Sequence, residues 1–276
     1  MKNNIFEGYG FVQSNTFGII SEINKEDFKD YYCLLSKLKC SQDLYIAYRN
    51  VQMQYNLFVN LADQYSAGKI NDDNIFKILE SVITAYIMLH RTFVENCKAL
   101  GRIYSKAKSD ISNLIIDLQN KESEQNIKVL RDYAMHTSIP MSNISIGTVV
   151  NYKKNSLKTM SVEIIAKKMD KHDLSNWDKQ IIDNWKYGKL EIIKEINNAW
   201  NNLQVFSRKV FHAYINSYIS KNLIKKVQSD KILWMSRLIP YRTIGITYQP
   251  KNSIPKQTIF MDNDALAYCI NILLEN

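Results

Sequence analysis

The sequence predicts a mainly α-helical protein with an inserted β-hairpin and a small mixed C-terminal extension. Glycine and proline are scarce, 8 and 4 in 276 residues, so little interrupts long helices. Apolar residues recur in alternating steps of four and three over long stretches, the stripe of an amphipathic helix. That period gives way to β-rich runs in a few places, most clearly near the middle of the chain.

Ile5 to Ile20, rich in glycine and aromatic residues, reads as extended or irregular. Asn24 is a suitable N-cap, with Glu26 and Asp27 in the first turn where acidic groups suit the helix dipole. From Leu44 the stripe runs through Tyr48, Val51, Tyr55, Phe58 and Ala62, and Gly68 breaks it. Asn71 and Asp72 offer a new cap for a second strong helix through Ile75, Leu79, Val82, Tyr86, Phe93 and Leu100, with Gly101 expected as its C-terminal cap. A third helix is expected over Ser105 to Leu118 and a fourth over Glu124 to His136. The fourth stops before Pro140, because proline disfavours helical geometry in its predecessor.

Ser145 to Tyr152 and Leu157 to Ile165 then read as two strands of a hairpin, joined by Lys153-Lys154-Asn155-Ser156. Helical pattern returns after Asp173 and Ser175 through Trp177, Ile181 and Trp185, and Gly188 interrupts it. The longest helix is expected over Leu190 to Lys225. From Ser229 the tail mixes a short helix, strands near Thr243 to Tyr248 and Gln257 to Met261, and a capped helix from Asp262.

A formal charge of +9 and a pI near 9.1 favour encounter with polyanions, although net charge speaks only to non-specific association. Cys33, Cys40, Cys97 and Cys269 form no Cys-x-x-Cys pair and have no histidine at zinc-ligand spacing, which predicts reduced thiols and an intracellular setting. With neither a signal-peptide pattern nor a run of about 20 apolar residues, the expected compartment is the cytoplasm, away from membranes. Walker-type loops, dinucleotide fingerprints, His-Glu-x-x-His and nucleophile elbows are missing, so no cofactor and no metal are expected.

Any imidazole chemistry must come from His90, His136, His172 or His212. His172 reads as loop, and His90 as a hydrogen-bonded residue between helices. His136 differs, because Leu130-Arg131-Asp132-Tyr133-Ala134-Met135-His136 sets an arginine and a histidine five apart at a predicted helix end, with Asp132 directly after the arginine and Pro140 just beyond. Five helical steps turn about 500°, leaving Arg131 and His136 about 140° apart, so both reach one phosphate only if the helix end unwinds or the long arginine reaches round. Asp132 is four residues before His136 and is placed to orient its imidazole. The same residues also suit a plainer reading, in which the histidine caps a helix and Arg131 and Asp132 form a surface ion pair.

Here the chain resembles the HEPN superfamily, whose ribonuclease members carry an Arg, then Asn, Asp or His, then a His, near the end of one helix of a bundle. The likeness covers the motif, its surroundings and the helix-rich layout; the hairpin and the tail lie outside it. It implies a HEPN-like helical domain, expected over residues 1–228; the residue pattern adds the hairpin inserted at about 144–166 and an α/β extension over 229–276 packed on it. It also implies a metal-independent endoribonuclease with catalytic Arg131 and His136, supporting Asp132, and a composite site that makes the protein a homodimer. By analogy the role is that of a toxin or anti-phage defence effector, with an antitoxin or defence-system protein as partner. Lys153, Lys154, Lys158, Lys167 and Lys168, in and after the hairpin, are candidate RNA contacts, or else a solvated turn. The alternative function is a non-catalytic HEPN-like module that dimerises or binds RNA or protein.

Overall fold

The computed structural model describes residues 8–13, 21–70, 72–150, 156–229, 243–249 and 256–274. It is mainly α-helical, with small antiparallel sheets, and its contacts group the chain into two compact units. One comprises residues 1–46, 104–107 and 208–276, the other 47–103 and 108–207. The tail after 228 therefore groups with the N-terminal 46 residues, and the last stretch of that unit begins at Arg208.

The first unit is built on a four-stranded sheet in the order β2, β1, β6, β7, formed by β1 (Gly8–Gln13), β2 (Ser21–Ile23), β6 (Thr243–Gln249) and β7 (Lys256–Asp262). Strand β1 pairs along its whole length with β6, Gly8 opposite Gln249 through Gln13 opposite Ile244. Helix α1 (Lys25–Lys39) contacts β1, β6 and β7, and Tyr9 joins the two layers, its ring 4.6 Å from Phe28 and 4.8 Å from Tyr248. Asn24 caps α1 as expected, its side chain accepting from Asp27 N at 2.8 Å, a contact that typically contributes about 1 kcal/mol. The last helix, α9 (Asn263–Leu274), is capped by Asp262, which accepts from Ala265 N at 3.0 Å.

The second unit holds most of the helical mass. Cys40 ends α1, and α2 (Gln42–Ser66) follows, closed by Gly68 at φ +69°. The Asn71 half of the expected cap lies outside the described residues; α3 (Asp72–Ile103) begins at Asp72 and at 32 residues is the longest described helix. Gly101 is not its cap. It lies inside α3, where a Cβ would meet Ile111 Cγ2 at 3.3 Å, so the missing side chain lets α4 (Lys108–Gln119) approach closely. Then come α5 (Glu122–Ala134), the hairpin β3 (Met141–Val150) and β4 (Ser156–Ile165), α6 (Asn176–Asp183) and β5 (Lys189–Glu191), which pairs with β4. The long helix expected over 190–225 is shorter: α7 spans Ile192–Tyr218, its residues from Arg208 on counting with the first unit, as does a separate α8 over Lys221–Ser229, while residues 189–191 are strand. The core of this unit is aromatic, with Trp200 of α7 stacked 4.8 Å from Tyr55 and 5.8 Å from Tyr48 of α2, and Tyr48 5.7 Å from Phe93 of α3. Strand β4 buries Met160, Val162 and Ile164 with the two-residue period of a strand.

Candidate active site

Helix α5 carries Arg131 and Asp132 but not His136, and its sequence explains both its face and its end. Ile127, Leu130 and Tyr133 form its buried stripe, and Glu122 and Glu124 occupy the first turn. Four side-chain bonds anchor it along its length. Asn202 of α7 donates to Ser123 Oγ (2.9 Å) and accepts from Lys121 (2.8 Å); Asn126 accepts from Trp185 Nε1 (3.0 Å) and donates to Glu195 (3.1 Å). At the far end Tyr133 Oη accepts from Asp170 N at 3.3 Å.

The helix stops at Ala134. Met135 N still bonds to Arg131 O (3.1 Å), and His136 N and Thr137 N both bond to Tyr133 O (3.0 and 3.1 Å), a tightened last turn. Pro140 cannot continue it, and Ile139 drops back into the core at 3% exposure as the chain turns into β3. His136 thus stands outside the helix, exposed with Thr137 and Ser138.

Arg131 is partly exposed, and its guanidinium donates to Asp132. Asp132 does not orient His136. Its carboxylate also takes Lys128 at 3.1 Å, one helical turn back, and Lys128 reaches on to Asp178 (3.1 Å) and lies 4.0 Å over the Trp177 ring. Burial pushes the Asp132 carboxyl up, but the bonds from Arg131 and Lys128 outweigh it and hold it below the ordinary value. On the other side, the exposed Asp173 carboxyl is lowered by its 3.0 Å bond to His172, with His136 adding to the pull, and the same contact raises the His172 imidazole.

Arg131 and His136 therefore lie at one helix end but do not meet: Arg131 pairs with an acid on its own helix, and no hydrogen bond or ion pair joins it to His136 within the chain. Lys167 and Lys168 are exposed in the 3₁₀ turn after β4, and Lys158 sits on β4 opposite Thr148. Lys153 and Lys154 lie outside the described residues.

At the opposite end of α5 is an arrangement the sequence did not disclose. His90 of α3 and Glu124 of α5 are 2% and 7% exposed and face each other, Nε2 to Oε2 3.4 Å, beside a cavity of about 410 Å³. His90 is interhelical as expected, but its Nε2 makes no hydrogen bond, and Glu124 Oε1 and Arg91 Nε are likewise buried without a partner among the described residues. Only the (i, i+4) spacing of Lys128 and Asp132 could have signalled the bridge to α6. All four cysteines are free, and among the described residues no helix is long and apolar enough to cross a membrane. Compared with known proteins, the chain matches no family model, no curated protein and no solved structure.

Proposed function

We propose that the C-terminal end of α5 is a phosphodiester-binding surface, and that the protein is a metal-independent endoribonuclease that cleaves when two copies of this end meet in a homodimer. The observation that carries the reading is that α5 ends before its motif does, which leaves His136 in solvent beside a partly exposed Arg131, with Lys167 and Lys168 exposed in the turn after β4. In the reaction a 2′-hydroxyl attacks the adjacent phosphorus, a phosphorane forms, and the 5′-oxygen leaves as an alcohol, giving a 2′,3′-cyclic phosphate. His136 takes or delivers the proton. Arg131, a planar fork matched to phosphate oxygens, stabilises the added negative charge. Because Arg131 and His136 do not meet within one chain, the second copy supplies the complementary half of each site. Such an enzyme fits a toxin or anti-phage effector restrained by a partner protein, an assignment by analogy alone.

A second reading is a non-catalytic module that holds RNA or a partner protein with the same surface. It is favoured by the Asp132 carboxylate, which already engages the Arg131 guanidinium. End-labelled single-stranded RNA incubated with the protein in EDTA separates the two. Cleavage to cyclic-phosphate ends that His136→Ala abolishes supports the enzyme. Binding without cleavage supports the module, and full activity in His136→Ala removes the enzymatic reading.

A further inference from the structure

We propose that Tyr187, in the turn between α6 and β5, is a stacking platform for a base of a single-stranded polynucleotide whose phosphates run over Lys167, Lys168 and Lys186. The inference rests on the reading that Lys167 and Lys168 face a phosphodiester, and it adds how the strand is gripped.

Tyr187 has φ +57° and ψ 23°, and among the described residues it is the one non-glycine at positive φ. Bulky residues avoid this region because Cβ crowds the following carbonyl oxygen. The turn is closed by Gly188 N, which donates to Trp185 O at 2.8 Å, and a glycine at 187 would make it without strain. Nothing within the fold offsets that strain. Tyr187 is 87% exposed, and among the described residues its hydroxyl has no hydrogen bond and its ring no aromatic neighbour. Lys186 Nζ stands over the ring, 5.3 Å from its centroid, and at that exposure the other face is open to water.

The backbone on either side is fixed. Trp185 is buried and donates Nε1 to Asn126 at 3.0 Å, and residues 189–191 pair with β4. A strained residue persists only where its surroundings over-determine it, and such residues gather at binding sites.

The same sheet places the cations. Its β4–β5 ladder ends at Ile165 opposite Lys189, where paired residues are about 5 Å apart, so the 166–168 and 186–188 turns leave one end of the sheet together. Lys167, Lys168 and Lys186 are exposed, and no acid among the described residues pairs with them. Nearby acids are engaged elsewhere: Glu163 holds Lys189 at 3.0 Å, Asp183 holds Lys171, and Asp170 accepts from His172 N at 3.0 Å. Unpaired lysines beside an open aromatic face match a strand that offers phosphates and unstacked bases together. A duplex keeps its base faces within the stack, and an apolar protein surface would leave three ammonium groups without counter-charge.

Fluorescence anisotropy of the full chain tests this with a labelled deoxyadenosine ten-mer, its abasic counterpart, the same strand in a duplex, and a glutamate ten-mer. The ten-mer should bind about tenfold or more tightly than the abasic strand, the worth of one base stacked on an aromatic ring. Tyr187→Gly should melt at or above the wild-type temperature, bind the ten-mer as weakly as the abasic strand, and bind the abasic strand as the wild type does. Tyr187→Phe should retain the preference, and Lys167→Ala with Lys168→Ala should weaken both strands alike. Equal binding of the ten-mer and the abasic strand, tighter binding of the duplex or the glutamate peptide, undiminished affinity in Tyr187→Gly, or no binding at all would overturn it. Without a 2′-hydroxyl none of the probes can be cut, so failure here is distinct from failure of His136 chemistry, which is read on RNA.

Discussion

The two ends of α5 divide the chemistry of this protein between them. At the C-terminal end the charged groups meet water: His136 is exposed beyond the last turn, and Arg131, Asp132 and Lys128 form a chain of ion pairs along the surface. At the N-terminal end, Glu124 and His90 are enclosed by three neighbouring helices and leave bonding capacity unmet. The helix dipole suits both placements, a carboxylate in the first turn and cations near the last. The difference lies in solvation. An exposed imidazole is free to exchange protons with a substrate and contributes little to folding. A buried carboxylate with one oxygen lacking a donor costs stability.

The largest effect expected from this contrast is on activity. His136→Ala should lower RNA cleavage by about 10²- to 10⁴-fold, the range for loss of a general acid or base, and change the melting temperature hardly at all, since substitutions of exposed residues stay within about 0.5 kcal/mol. Parallel measurement of cleavage rate and thermal unfolding checks both halves. A variant that loses activity only by unfolding would place His136 in the structural framework and dissolve the contrast.

Second in size is the anchor that holds both ends in place. Trp185 Nε1 donates to Asn126 at mid-helix, and Asn126 is 2% exposed. Trp185→Phe removes the donor and leaves the amide oxygen buried, at about 1–3 kcal/mol. Denaturant unfolding reads the loss, and a cycle with Asn126→Ala isolates the pair. If the single variant is as stable as the wild type, α5 is fixed by its apolar stripe alone.

Much of this fold was legible because local rules and packing agree. Asn24 and Ser175 cap helices as short polar residues do, Gly68 takes the positive φ that ends α2, and β4 alternates from Met160 to Ile164. What escaped depends on partners far along the chain. The pairing of β1 with β6 spans more than two hundred residues, which no short window senses. Gly101 has the spacing of a cap, and only the approach of Ile111 reveals its purpose. The motif placed Arg131 and His136 at a helix end, as the structure has them, but the same spacing could not tell that Asp132 turns to Arg131 and Lys128 and leaves His136 alone. The cavity was hidden altogether, since His90 and Glu124 are 34 positions apart on different helices and neither belongs to a motif.

The buried end yields a smaller prediction of opposite sign. Glu124→Gln replaces a carboxylate that has one unbonded oxygen with a neutral amide. The dipole contribution lost is about 0.3–1 kcal/mol, while the cost relieved by removing a buried charge with an unbonded oxygen is about 1–3 kcal/mol. The variant should therefore melt higher than the wild type by a few degrees. A lower melting temperature would mean that Glu124 is held by a contact stronger than its 3.4 Å approach to His90.

The smallest effect should come from Glu195, which receives the Asn126 amide at 3.1 Å and links the middle of α5 to α7. Burial raises its carboxyl above the ordinary 4.5, although the Asn126 bond pulls the other way. For an acid whose folded value is raised, the protonated form is the one the fold favours. Its contribution to stability is therefore greatest below pH 4.5 and declines as the pH rises through the folded value. Glu195→Gln keeps an oxygen for Asn126 and removes the titration. The variant should melt slightly higher than the wild type at pH 7, by about 2 °C or less, and the gap should close as the pH falls towards 4. Melting curves at half-unit steps decide it. A gap that widens on acidification would mean that the Glu195 charge is stabilised in place, and that the middle of α5 resembles its solvated end rather than its enclosed one.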